Sequence, residues 1–191
     1  MGRCDSLCDS THLNLTRPPA PDPDDGCEAE GRRVFVTPEP VLPSFGGAAK
    51  ADEICQKVAD DAHLGGTFLA WVSEAGSEVA MRFTHPAVPY RLQSGTVIAN
   101  GWTALVSPPI AHPIDEDPNG MVVPSTETWT GTLENGLYSG VDCAGWSSVS
   151  INTLGSVGLT SNVQTGPDIG WSEVYLQNCD RTNVHLYCFQ Q

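Results

Sequence analysis

The sequence predicts an α+β domain of short antiparallel strands, one main helix and long irregular loops. Three observations carry that expectation. One segment, residues 46–62, has helical periodicity. Short apolar runs rich in β-branched and aromatic residues recur between turn residues. Nineteen Gly and fifteen Pro punctuate the 191 residues and leave little room for further long helices. A chain of this length supports one domain with a real core, and 40% hydrophobic against 17% charged residues marks it as globular.

Residues 1–31 read as a Cys/Pro/Asp-rich leader or linker. Arg17-Pro18-Pro19-Ala20-Pro21-Asp22-Pro23-Asp24-Asp25-Gly26 has no apolar face to pack and reads as extended chain. Cys4, Cys8 and Cys27 surround it, an odd number that leaves one thiol free or able to bridge chains. Residues 32–191 form the domain. Residues 33–37 open it as a strand, which Pro38, Pro40 and Pro43 end. In the helix, Ala51, Ile54, Cys55, Val58 and Ala62 share one face, the charges take the other, and Gly65-Gly66 stop it. Residues 67–73 read as a central strand and 74–89 as a loop. Residues 90–92 and 96–99 read as two short strands about a turn, and 101–105 as a helical turn seating Trp102. The long acidic stretch 107–126 has the length of a functional loop. A strand follows over 126–132. Residues 147–168, rich in Ser, Gly, Thr and Asn, read as an irregular surface loop. Residues 183–189 alternate polar and apolar side chains and close the domain.

A net charge of −14, with nine scattered basic residues, provides no phosphate-tracking stripe. Nucleic acid, heparin-like polyanions and anionic membranes are excluded as primary partners. An acidic surface serves solubility first and cation attraction second. Seven cysteines point to an oxidising compartment, and no apolar run is long enough to span a bilayer. Met1-Gly2-Arg3-Cys4 leads into polar residues rather than a secretory signal, so a processed or truncated form is expected.

The order of motifs carries a resemblance. A first strand precedes the helix of Cys55, followed by Leu64-Gly65-Gly66-Thr67-Phe68-Leu69-Ala70-Trp71-Val72-Ser73. Then come Gly101-Trp102-Thr103-Ala104-Leu105, Trp129-Thr130-Gly131-Thr132, Cys143-Ala144-Gly145-Trp146, Cys179 and Leu186-Tyr187-Cys188. Over residues 32–191 this layout resembles the endostatin domain of collagens XV and XVIII. It resembles still more the bacterial DUF1554 family of secreted and lipoprotein domains, and both belong to the C-type-lectin-like fold. The resemblance implies nested disulfides, Cys55–Cys188 outside and Cys143–Cys179 inside, among the three connectivities four cysteines allow. The clustered arginines of endostatin's heparin site and its N-terminal zinc histidines have no counterpart here.

Calcium is the sharpest chemical expectation. Asp115, Glu116, Asp117 and Asn119 place hard oxygen ligands within one turn-rich loop; the competing reading is a solvated acidic turn with Asn119-Gly120 at the bend. The histidines lack metal-ligand spacing, so each reads as a surface or capping residue. The four domain cysteines are taken up by bridges, and no Gly-x-Ser-x-Gly elbow is present. Paired carboxylates for hydrolysis stay open, because twenty-three acids always offer pairs. The resemblance places Trp71, Trp102, Trp129 and Trp146 in or near the core, with Trp171 as the exposed candidate for ligand stacking. The resulting expectation is a non-enzymatic binding, adhesion or surface-assembly domain, secreted or at the cell surface, whether as a lipoprotein or an exported bacterial protein. Its partner would be an extracellular protein, a glycan or other assembly subunits. A calcium-dependent carbohydrate-binding module is the alternative, and a hydrolase the third reading.

Overall fold

A computed structural model describes residues 31–164 and 170–191. The leader expected over 1–31, with Cys4, Cys8 and Cys27, lies outside the described residues apart from Gly31, as does the end of the loop expected over 147–168.

Two sheets and one long helix organise the domain. Strands β1 (Arg32–Val36), β2 (Phe68–Ala70), β3 (Tyr90–Arg91), β4 (Val97–Ala99) and β8 (Tyr187–Gln190) form a five-stranded sheet ordered β2-β8-β1-β3-β4. β1 runs parallel to β3 and antiparallel to β8. Strands β5 (Glu127–Trp129), β6 (Leu154–Leu159) and β7 (Tyr175–Asn178) form an antiparallel three-stranded sheet. Helix α1 (Ala48–Asp61) packs on β2 and β8, and short helices α2 (Val79–Arg82) and α3 (Gly101–Leu105) fill connections.

Strands β1 and β8 read as nearly continuous apolar runs because both of their faces are covered. Successive side chains of a strand point to opposite faces. Phe35 and Cys188 accordingly join the core beneath α1, with Ala51, Cys55, Phe68, Trp129 and Trp146. Val34, Val36, Tyr187 and Phe189 join the opposite core with Trp71, Tyr90, Leu92 and Ile98. The terminal strand is therefore the partition between two cores.

Both bridges are formed, Cys55–Cys188 and Cys143–Cys179. The outer ties α1 to the partition strand across 133 residues; the inner spans 36. A second tie joins α1 to β2 and α2. The Asp52 carboxylate accepts Arg82 Nη1 at 2.6 Å and the Ala70 backbone N–H at 2.8 Å, while Arg82 Nη2 donates to the carbonyls of Ala70 and Val72. The ion-pair side chains are only 15% and 19% exposed. Asp52→Ala strands the guanidinium and an amide, so urea unfolding should show a loss of about 2–3 kcal/mol.

The inner bridge anchors an unusual turn. In α4 (Cys143–Trp146) all four residues have positive φ, from 52° to 66°. Three of them are not glycine, and left-handed backbone costs each about 1–2 kcal/mol. The turn persists because several contacts over-determine it. Asp142 Oδ1 accepts the Gly145 N–H at 2.9 Å, Trp146 Nε1 donates to the Ser73 carbonyl at 3.0 Å, and Phe45 stacks on the Trp146 ring at 5.2 Å.

The stretch 147–168 departs from expectation: it contains β6, the central strand of the smaller sheet. The two glycines of β6 arise from packing rather than from loop character. A Cβ at Gly155 would stand 2.7 Å from Cys143 Sγ and 2.9 Å from the Trp129 ring. One at Gly158 would stand 1.8 Å from the Trp171 carbonyl oxygen.

All four tyrosines hold their protons more tightly than usual. Burial, then hydrogen bonding to Asp142 and to Glu127 respectively, pushes Tyr138 and Tyr175 up to about 12. Burial raises Tyr90 and Tyr187 further. The unfolded chain then releases phenolic protons before the folded one does, so stability is intact below the ordinary phenol pKa of about 10 and falls as pH climbs from there through 12. Phenolate absorbance at 295 nm should stay suppressed near pH 10.5 and appear together with loss of near-ultraviolet circular dichroism. Titration of all four phenols near pH 10 in a chain still folded would contradict the burial of Tyr90 and Tyr187.

Candidate binding cleft

Three segments far apart in sequence meet at an open cleft of about 300 Å³, beside the α1 core. The first wall is the turn after β1. Thr37 N–H donates to the Leu186 carbonyl at 2.9 Å, Thr37 Oγ1 donates to the Glu39 carbonyl at 3.0 Å, and Val41 N–H donates to the Val184 carbonyl at 2.7 Å. Trp129 Nε1 secures the Val41 carbonyl at 3.0 Å. Pro38 and Pro40 stiffen this turn, because a proline ring fixes φ.

The second wall is helical. Ala48, Ala51, Cys55 and Ala59 form the buried stripe of α1. Ile54, Val58 and Ala62 lie beside it at spacings of four and are half-buried: Ile54 and Val58 pack against the core, and all three also line the cleft. The helical face read from the sequence is thus wider than the core can cover. That surplus is the signal from which the cleft could have been found.

The third wall is Pro118-Asn119 at the tip of the acidic loop. Asp115, Glu116, Asp117 and Asn119, the expected calcium ligands, belong to this loop. Asp117 Oδ1 accepts the N–H groups of Asn119 at 2.8 Å and Met121 at 2.9 Å, closing an Asx-type turn. Glu116 is 7% exposed, and its Oε2 accepts the Ser94 N–H at 2.8 Å. Its carbonyl accepts Val36 N–H at 2.8 Å, which pins the loop to β1. Asp115 Oδ1 faces His112 Nδ1 at 3.9 Å, and Asn119 lines the cleft. Among the described residues, no three His, Cys, Asp or Glu side chains form a group able to hold a metal ion.

Trp171 is not the exposed ring expected of it. It is fully buried, 4.9 Å from Trp71 and 5.9 Å from Tyr187 between ring centroids. Gly158 opens the space that lets its backbone cross β6. Trp71, Trp129 and Trp146 are fully buried as expected. The half-buried tryptophan is Trp102, whose ring stacks on exposed His85 at 4.1 Å and 12°.

The cleft is apolar at its base and acidic at its edge. Glu39 and Asp61 line it, and Asp61 shares its charge with Lys57 at 2.6 Å. No aromatic ring lines it. Among the described residues it offers no nucleophile beyond Thr37, whose hydroxyl is already engaged by the Glu39 carbonyl and the Leu186 N–H. It is thus equipped for apolar contact with charge selection at the rim. No helix among the described residues is long and apolar enough to cross a membrane. No protein-family model matches the chain, and no curated protein matches it.

Proposed function

We propose that residues 32–191 form a C-type-lectin-like domain that acts without catalysis, as an extracellular or cell-surface binding module, through the cleft between residues 37–41, α1 and Pro118-Asn119. Nested bridges, one main helix and a terminal strand paired beside the first support the fold reading. The cleft carries the functional reading. Its walls are held by backbone hydrogen bonds, and two of them carry prolines, so a ligand meets a surface already shaped and little ordering opposes binding. Two disulfides are compatible with an oxidising, extracellular setting. The calcium-dependent carbohydrate reading lacks comparable support, since the Asp117 and Glu116 carboxylates already cap backbone amides and Trp171 is enclosed.

The test is a methyl-detected NMR screen with small aliphatic and amphiphilic fragments. Shifts should concentrate on Val41, Ile54 and Val58. Shifts centred elsewhere, for instance on Ile151 at the polar hollow beside Asn178 and Arg181, would overturn this assignment.

A further inference from the structure

The geometry points to a specific ligand class for the cleft: a peptide segment that presents an aliphatic side chain beside a lysine or arginine. This rests on the cleft being the binding site and deepens it by naming the occupant.

The base takes an aliphatic group. Val41, Ile54 and Val58 are half-buried and apolar, and Pro118 closes over them. The absence of an aromatic ring from the lining removes the stacking surface that sugars and polyproline helices use. The rim takes a cation. Glu39 and Asp61 stand on opposing walls, Asp60 and Asp117 adjoin lining residues in the chain, and Lys57 is the basic neighbour on α1, paired with Asp61. That local excess of acid matches the net charge of −14, so a positive ligand is drawn in by both near and far fields.

The probes are three fluorescent hexapeptides with the same two leucines: one flanked by Lys and Arg, one by Ser and Gln, one by Glu. Fluorescence polarisation on the oxidised chain at low salt, with methyl NMR to locate the contact, reads the outcome. The cationic peptide should bind roughly fivefold tighter than the neutral one, and more tightly still than the anionic one, and the advantage should shrink as salt rises. Glu39→Gln, at an exposed turn position, should remove much of that advantage. Val58→Ser should weaken all three. Equal binding of cationic and neutral peptides within the cleft overturns the cation assignment and leaves the cleft as a binding site. Failure of every peptide to shift Ile54 or Val58 at millimolar concentration overturns the cleft itself.

Discussion

Replacing Cys55 and Cys188 together with alanine is expected to lower the free energy of unfolding by about 4–5 kcal/mol. The bridge closes a loop of 133 residues and so removes much of the freedom of the unfolded chain. It also joins α1, whose inner face is otherwise largely alanine, to β8, which separates the cores. Alanine is a poor source of apolar burial, so α1 leans on the bridge and on Asp52–Arg82 more than a leucine-faced helix would. The corresponding change at Cys143 and Cys179 should cost less, about 3–4 kcal/mol, because its loop spans 36 residues. Urea denaturation of both double variants under non-reducing conditions gives the comparison. A larger loss from the inner pair would mean that the Cys143–Trp146 turn, rather than the α1 staple, dominates stability.

Trp171→Ala should cost about 3–5 kcal/mol and alter near-ultraviolet circular dichroism. The ring packs on Trp71, Tyr187 and Phe189 in the core opposite α1. Its loss also strips the neighbour of Trp71, whose Nε1 donates to Ser172 Oγ at 2.7 Å within a buried hydroxyl network. That network continues through Thr130, Thr132 and Ser73 and links the segments that follow β2 and β5 to the one that precedes β7. A ring that served instead as an exposed stacking platform would change ligand affinity and leave the urea midpoint unmoved. A stability loss below about 1 kcal/mol would therefore contradict the burial described for it.

Helix α1 was legible because its apolar spacing and the Gly65-Gly66 stop are local signals. The paired strands at 90–91 and 97–99 followed from short apolar runs about a turn, and the closing strand from its alternation, whereas its pairing with the first strand was not legible. Strand β6 was hidden for a physical reason. Gly155 and Gly158 are required by Cys143, Trp129 and the Trp171 carbonyl, contacts that no window of sequence displays. Trp171 was misplaced for the same reason, since its burial depends on the gap at Gly158. The cleft unites residues 37–41, 54–62 and 118–119, and nothing local announces that meeting. The loop 115–119 was singled out for its carboxylates. In the structure its contribution is the shape set by Asp117 and the wall made by Pro118 and Asn119.

The cleft is the most direct point of test for the function proposed. The decisive measurement is a crystal structure of the oxidised chain grown with the Lys/Arg-flanked leucine peptide. A leucine side chain seated against Val41, Ile54 and Val58, with its basic neighbour facing Glu39 or Asp61, is the predicted result. Peptide bound at another surface, or a cleft closed by its own side chains, would contradict it.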